Sequence, residues 1–431
     1  MNCSKEIPAR ARHLTSRTLP KLVFEAELPE QFIRTLPVQS LYLALKHNGL
    51  SSSADLIAAA SVEQCRLLID FDCWQKDSFV EENFMEWLSL CDADQSLDLL
   101  HKIIKCIDLK LVALMISRYV QIHVHQEPTD PSPGEGFFTP DRGYTWVKVN
   151  TTDSHRQFLL ARLLAAIFEA SAEIFYQLMS VKGIATATVL EEEAYQDKQK
   201  RLAAEGIPDR EYAHEINTPL EPAALQHELE TKHEKAAVEM IPAVLPMLYD
   251  TETIQPLGEV LKHLDLEAIE QFESEFTLIM NAALVRWSIE VFNYEEVTKL
   301  SSKVKGAINL ALELTLQKTG MAALEIYRHA GLQKLYACGL NLLFRLQKRA
   351  HKFSVETLQA AASEAATFAI VAGLRQALPE MPNFFLPDGT LKADPSGVLA
   401  KGYKAIEHLT EWESLQRFLD QQNGPPTQNT H

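Results

Sequence analysis

Apolar side chains recur at every third or fourth position over long stretches of this sequence, and this period constrains the fold more than any other feature. The clearest example begins at Phe272 and extends to Val291, over about five helical turns. Such spacing places the apolar side chains on one face of an α-helix. An isolated amphipathic helix is only marginally stable in water, so each apolar face must pack against another helix. The sequence therefore predicts a predominantly all-α protein built of multi-helix bundles.

The same period appears elsewhere in the chain. The other stripes are Phe84, Trp87, Leu88 and Cys91; Leu159, Leu163, Ala166, Ile167, Ala170, Ile174 and Leu178; and Leu332, Leu335, Tyr336, Gly339, Leu342, Leu343 and Leu346. Helix start signals agree with the stripes. Ser61 and Gln64 have the spacing of a capping box, in which each side chain accepts from the other residue's backbone N–H.

One segment departs from the helical period. Residues 126–136 are rich in proline, glycine and acidic side chains, a composition typical of a linker. Two short apolar runs, Phe137–Thr139 and Tyr144–Val149, flank the turn sequence Pro140–Gly143 and predict a short β-hairpin. Because two strands alone are barely stable, we expect this hairpin to pack on helices.

Two stretches before the linker resemble each other. Asp55–Ile57 with Leu67–Ile69 has the same order of acidic and apolar residues as Asp98–Leu100 with Leu114–Ile116. One interpretation is a stack of helical hairpins, as in an α-solenoid. The other is that two unrelated amphipathic hairpins produce the likeness by chance. The sequence leaves both open.

These features predict an order of domains along the chain. We expect a disordered basic arm at 1–27, an N-terminal helical-hairpin domain at 28–125, the linker at 126–136, the β-hairpin with a helical middle domain at 137–245, a C-terminal helical bundle at 246–378, a loop with short helices at 379–421, and a disordered tail at 422–431. The boundaries follow changes in composition and clusters of proline and glycine.

Charge and cysteine content limit the partners and the compartment. The formal net charge is -17, from 41 basic and 58 acidic residues, so general nucleic-acid binding is not expected. No stretch approaches the roughly 18–20 apolar residues that span a bilayer, so we expect no transmembrane segment. No two of the six cysteines are spaced as C-x-x-C, and Cys65, Cys91 and Cys106 lie in apolar helical runs. Buried, reduced thiols suit a reducing compartment, which predicts a cytoplasmic location.

The sequence motifs of common enzymes are missing. There is no phosphate-binding loop, no dinucleotide-binding fingerprint and no nucleophile elbow, so we predict no catalytic residue and no cofactor. The His123-Val124-His125 segment would direct both rings to one side only on a strand. We interpret it instead as a solvated helix end, and no metal site is predicted.

The densest acidic cluster is Glu191–Glu193, with Tyr195 one turn later. No i,i+4 partner neutralises these acids. They suit the start of a helix, where the dipole favours negative charge. The functional interpretation is a ligand or partner surface formed by Glu191, Glu192 and Tyr195 and completed by Lys198 and Arg201.

The strongest basic run ends a long apolar helix and comprises Arg345, Lys348, Arg349, His351 and Lys352. Cations at this end of a helix offset its exposed carbonyl groups. The alternative is that the run docks an acidic partner segment, including one from this same chain. On that interpretation, Arg345 and Arg349 are the candidate binding residues.

Several ordered motifs resemble a bacterial family of uncharacterised proteins, the domain-of-unknown-function family six-one-seven-eight. They are Leu190-Glu191-Glu192-Glu193-Ala194-Tyr195, Lys200-Arg201-Leu202, Gly206-Ile207-Pro208-Asp209, Leu41-Tyr42 with Lys46 and Gly49-Leu50, the Asp70-to-Trp74 turn, Phe137-Phe138-Thr139, and Leu343-Phe344-Arg345-Leu346. Together they span roughly residues 28–415. The resemblance implies a helical, cytoplasmic bacterial protein and brings no known reaction, so no catalytic residue carries over.

These observations favour a non-enzymatic protein-interaction or scaffold protein with a protein partner, because helical hairpins form grooves suited to peptides and helices. One alternative is an enzyme with an acid–base site near Glu192, Tyr195 and Arg201. Another is a regulatory sensor that binds a small ligand or cation through its acidic faces.

Overall fold

The computed structural model describes residues 29–36, 38–90, 97–181, 185–230, 254–289, 293–353, 365–394 and 397–422. Helices predominate over short two-stranded sheets, which confirms the predicted fold class. The chain divides into two compact units, unit 1 (Met1–Ala204) and unit 2 (Glu205–His431). This division is coarser than the domain order expected from the sequence, which stays a prediction. The expected basic arm at 1–27, and the expected tail apart from Gln422, lie outside the described residues.

The described residues of unit 1 form helices and two small sheets. In chain order these are α1 (Pro29–Arg34), α2 (Val38–Asn48), a 3-10 turn (Ser51–Ser53), α3 (Ala54–Ala59), α4 (Val62–Asp72), β1 (Trp74–Gln75), β2 (Ser78–Phe79), α5 (Glu81–Ser89), α6 (Leu97–Cys106), α7 (Leu109–Tyr119), β3 (Val120–Val124), β4 (Thr145–Val149), α8 (Ser154–Ala170), α9 (Ala172–Val181) and α10 (Ala187–Ala204). The capping box of Ser61 and Gln64 begins α4, as predicted. The two similar stretches form the helical hairpins α3–α4 and α6–α7.

The hairpin strand pairing differs from the expectation. Strand β4 pairs antiparallel with β3, which precedes the linker, whereas Phe138 makes only a single bridge to Val147. The interpretation of the His123 segment as a helix end is therefore wrong. β-branched residues at Val120, Ile122 and Val124 alternate with polar ones, a pattern that favours a strand directly after α7. As expected, the sheet packs on helices, with β4 against α8 and β3 against α7.

Unit 2 is a helical bundle followed by a looped segment and a last helix. Within its described residues the elements are α11 (Arg210–Ile216), α12 (Pro222–Glu230), α13 (Leu257–Lys262), α14 (Leu266–Trp287), α15 (Tyr294–Thr319), α16 (Ala323–Ala350), α17 (Ala365–Leu374), β5 (Met381–Pro382), β6 (Tyr403–Lys404) and α18 (Leu409–Gln422). The predicted stripe from Leu332 to Leu346 is buried in the core, as is the Phe272–Leu284 part of the stripe in α14. Val291 lies outside the described residues.

Two glycines shape α16, and one of them, Gly339, lets this helix pack closely against α15. Gly331, at φ +74°, interrupts α16, and the buried carboxylate of Glu275 accepts from the backbone N–H of Leu332 that follows it (2.8 Å). At Gly339 the helix backbone lies against the carbonyl of Ala307 in α15, where a Cβ atom would come within 1.8 Å of that oxygen. Only glycine permits this approach.

Candidate functional site

The predicted acidic cluster lies on α10, which packs against α7 and α4 within unit 1. Glu191, Tyr195, Lys198 and Arg201 are spaced by four, three and three residues, so they share one face of the helix. All four contact residues of unit 1 that precede α10. We call these four side chains and their contacts the α10 clamp.

Arg201 joins two acids from separate helices. Its Nε and Nη2 donate to the two carboxylate oxygens of Asp70 in α4, at 2.7 and 2.9 Å, and its Nη1 donates to Asp108 at 3.0 Å. Asp108 is also the N-cap of α7, where it accepts from the backbone N–H of Lys110. Burial raises the pKa of the Asp70 carboxyl, against the opposing effect of Arg201. The guanidinium therefore compensates a carboxylate that would be costly to bury alone.

Lys198 is held between two aromatic rings. Its Nζ lies 5.2 Å from the ring centroids of both Trp74 and Tyr195 and donates to the carbonyl of Lys76 at 3.3 Å. The residue is only 7% exposed, and burial lowers its pKa to about 8. Cation–π attraction and the hydrogen bond both favour the protonated amine in this position.

The two glutamates of the predicted surface, Glu191 and Glu192, differ in their surroundings. Glu191 accepts from the backbone N–H of Phe79 at 3.1 Å and pairs with Arg118 at 2.5 Å. Glu192 points to solvent and accepts only from Gln196, one turn later on the same helix, among the described residues. The structure thus brings Glu191, Tyr195, Lys198 and Arg201 into contact with their own unit and leaves Glu192 apart from them.

The residues that the clamp binds lie far from α10 in the sequence, and no sequence pattern pairs them with this helix. One indication of their importance is the family resemblance, because its motifs include the Asp70-to-Trp74 turn. Asp72 in this turn pairs with Lys46 at 2.8 Å and accepts from the indole of Trp87 at 2.9 Å. Several segments that carry the resemblance therefore meet around this turn.

Four of the five residues of the predicted basic run, all except His351, line a cleft of about 300 Å³ in unit 2, between the end of α16 and α18. We call it the basic cleft. Its lining residues are Arg345, Leu346, Lys348, Arg349, Lys352, Trp412 and Gln416. Four cations thus surround an apolar floor and one aromatic ring. The structure places the predicted residues Arg345 and Arg349 in this cleft and the α10 residues in unit 1.

The two arginines of the basic cleft have exposed partners. Arg345 pairs with Glu221 at 2.5 Å and Arg349 pairs with Asp420 at 2.8 Å, and both acids are more than half exposed. Within the described ranges, Lys348 and Lys352 have no ion-pair partner, and both side chains are exposed. Surface pairs of this kind contribute little to stability, so an incoming anion can compete for the cations.

The α18 wall of the basic cleft is anchored at its first turn. Glu313 in α15 accepts from the backbone N–H of Leu409 at 2.6 Å and lies 2.8 Å from Nδ1 of His408. Further along α18, Trp412 donates from its indole to the carbonyl of Leu342 at 2.8 Å. Nothing in the sequence signalled the contact between His408 and Glu313, because the two residues are 95 positions apart.

The anchor gives a pH-dependent contribution to stability. The hydrogen bond to Glu313 raises the pKa of His408 above its ordinary value of 6.5. A raised folded-state pKa contributes stability that is present below the unfolded value and is lost as pH rises through the folded value. We expect the difference in unfolding free energy between wild type and His408→Asn to shrink as pH rises above 6.5. Urea titrations from about pH 5.5 to about pH 9 measure it, and a difference constant over this range would contradict the prediction.

The described residues contain no group of three or more His, Cys, Asp or Glu side chains arranged to hold a metal ion. The rings of His123 and His125 lie 4.8 Å apart, and His125 is 3.2 Å from Asp130 through Nδ1.

Among the helices in the described part of the chain, none has the length and apolar content to cross a membrane.

Comparison with protein-family models gives a match over most of the chain. The model of a family of unknown function (DUF6178) matches residues 6–395, which confirms the resemblance seen in the sequence motifs. No curated protein and no solved structure matches the chain.

Proposed function

Because the chain belongs to this family of unknown function, which supplies no reaction, we propose its role from its geometry. It is a non-enzymatic interaction or scaffold protein that binds an acidic segment of a partner protein in the basic cleft. The observation that carries the proposal is the cluster of four cations beside Trp412 on a chain whose net charge is -17. A positively charged cleft on an otherwise acidic protein attracts an acidic ligand to that one place.

The chemistry of the basic cleft favours a peptide over an isolated ion. Arginine forks bind carboxylates through two parallel hydrogen bonds. Trp412 is only partly buried and lies beside them, and partly exposed tryptophan is a frequent anchor for apolar side chains at protein interfaces. A segment that alternates carboxylates with apolar residues would satisfy both features.

Two further properties belong to the proposal. The hairpins α3–α4 and α6–α7 support a helical repeat that presents an extended surface for partners. A cytoplasmic location is supported by the cysteines, since Cys65, Cys73, Cys106 and Cys338 are buried and carry no disulfide.

Charge reversal in the basic cleft tests the proposal. We expect Lys348→Glu with Lys352→Glu to weaken binding of a fluorescein-labelled Glu/Leu decapeptide at least about tenfold, or roughly 1.4 kcal/mol. The reason is that two attractive charges become repulsive at the cleft itself. Fluorescence anisotropy at low and high salt measures the affinity, which should fall with added salt.

The matched control reverses two exposed lysines elsewhere in unit 2, Lys392→Glu with Lys401→Glu, and changes the net charge equally. It should bind the peptide nearly as wild type does. If both variants weakened peptide binding equally, net charge alone would explain the effect, and the assignment of binding to the cleft would be overturned. Preference for a phosphorylated oligonucleotide over the peptide would also overturn it.

A second candidate is an enzyme with an acid–base site near Glu192, Tyr195 and Arg201. The lowered pKa of Lys198 favours it, because a partly neutral amine is a better nucleophile near neutral pH. However, Arg201 is bound to two acids and Glu192 is directed to solvent. We therefore rank this candidate below the interaction protein.

A further inference from the structure

Two histidines lie side by side at the end of strand β3. His123 is in the strand and His125 directly follows it, with its backbone N–H donating to the carbonyl of Tyr144 at 2.8 Å, which continues the pairing with β4. Alternate residues of an extended chain point to the same face. The prediction of no metal site depended on a helix end at this place, and the strand removes that reason.

The separation of the two rings suits two ligands of one metal ion. An imidazole nitrogen binds a transition metal at about 2.1 Å, so the centre of the ring lies roughly 3.2 Å from the ion. The ring centroids of His123 and His125 are 4.8 Å apart and therefore subtend roughly 97° at a shared ion. This angle lies between the square-planar and tetrahedral values found for copper, nickel and zinc.

His125 is oriented with one nitrogen left over. Its Nδ1 donates to a carboxylate oxygen of Asp130 at 3.2 Å, the kind of contact that orients metal-bound histidines. The lone pair is then on Nε2, which has no hydrogen-bond partner among the described residues, although the side chain is only 11% exposed. A buried nitrogen without a partner is uncommon in proteins, and a bound cation would satisfy it.

The His123 ring provides the access from solvent. Two rings contact His125, those of His123 at 4.8 Å and Trp146 at 6.2 Å. Trp146 is fixed, because its indole donates to the carbonyl of Gly143 at 3.1 Å. His123 is exposed and forms no hydrogen bond through its side chain with another described residue, and Val124 beside it is 68% exposed. The His123 ring can therefore turn without breaking a hydrogen bond.

We propose that His123 and His125 chelate one divalent transition-metal ion, of the copper, nickel and zinc class, at the surface of unit 1. The ring of His123 turns to admit the ion, each imidazole supplies one nitrogen, and water completes the coordination. Positions held by water leave the ion open to a donor atom from a bound molecule. Magnesium and calcium prefer oxygen ligands and should not bind. The proposal does not rest on the basic cleft, which lies in unit 2.

Titration of the full chain with Ni²⁺, which does not oxidise thiols, tests the proposal. Trp146, one of five tryptophans, lies close enough to the site for a bound paramagnetic ion to quench its fluorescence. We expect saturable quenching that EDTA reverses and that excess Mg²⁺ does not produce. Calorimetry should give one site for Ni²⁺ and one for Zn²⁺. A wild-type protein without saturable binding of either ion would overturn the proposal.

Variants assign the binding to the two histidines. His123→Gln, at an exposed position, and His125→Gln should each weaken Ni²⁺ binding at least about tenfold, because each removes one of two protein ligands. The matched control, His155→Gln with His214→Gln, removes two exposed histidines elsewhere and should bind as wild type does. An unchanged affinity in His123→Gln, or an equal loss in the control, would show adventitious binding only and overturn the proposal.

A tryptophan variant locates the ion independently of the histidines. Trp146→Phe should keep the calorimetric affinity for Ni²⁺ and lose most of the quenching, because the nearby indole is gone. Circular dichroism of the metal-free variants shows that each remains folded. Quenching that persists at the wild-type level in Trp146→Phe would place the ion beside another tryptophan and overturn the proposal.

Discussion

Replacing Gly339 by alanine is expected to destabilise unit 2 by about 3 kcal/mol or more, because overpacking against backbone cannot be relieved by a side-chain rotation. The added Cβ would lie 1.8 Å from the carbonyl oxygen and 2.4 Å from the carbonyl carbon of Ala307. Both atoms belong to α15, so α15 and α16 would have to separate. Urea unfolding followed by circular dichroism measures the change in unfolding free energy.

Two opposing effects act on the stability of the Gly339→Ala protein: overpacking against Ala307 and the higher helix propensity of alanine. The sign of the measured change in unfolding free energy shows which of them is larger. Helix propensity alone predicts that alanine in place of a helical glycine stabilises by about 1 kcal/mol. Arg328→Ala, at an exposed position of the same helix, is the control and should change stability by less than about 0.5 kcal/mol. A Gly339→Ala protein as stable as wild type would show that the close approach of α15 and α16 is not required.

The contrast between these helices and the small sheet shows what the sequence could predict. The stripe from Leu332 to Leu346 depends on spacing along one helix, which is a local property, and it is buried as expected. The partner of β4 is not a local property. Phe137–Thr139 was the nearer candidate, but the strand at Val120–Val124 pairs with β4 in full register. The strand Val120–Val124 is short and directly follows α7, so in the sequence it reads as a continuation of the helix.

The same limit applies to the candidate sites: the sequence shows which residues are close together on one helix, but not which distant residues they contact. The sequence indicated the cations of the basic cleft from Arg345 onward, because they lie close together in the chain at the end of α16. The opposite wall, with Trp412 and Gln416, comes from a helix more than sixty positions later and required the fold. Likewise the period of α10 placed Lys198 and Arg201 on one face, but no pattern in the sequence could identify the residues that this face contacts.

Arg201→Met is expected to destabilise unit 1 by about 3–5 kcal/mol, the usual cost of breaking a buried ion pair from one side. The substitution removes three hydrogen bonds and leaves Asp70, which is 2% exposed, as an uncompensated buried carboxylate. Thermal or urea unfolding measures the loss. Because the cost lies mainly in the abandoned charge, adding Asp70→Asn should recover a large part of it.

A second ion pair of α10, formed with α7 at the surface, provides the matched control. Lys110 on α7 pairs with Asp197 on α10 at 2.6 Å, and both side chains are about one-third exposed (36% and 30%). Water screens this pair, so Lys110→Met should cost less than about 1 kcal/mol. If both single substitutions cost the same, burial of the Asp70 carboxylate is not what makes the α10 clamp strong. A double variant no more stable than Arg201→Met alone would instead assign the loss to the contact with Asp108 or to packing, and would leave Asp70 without the role argued for it.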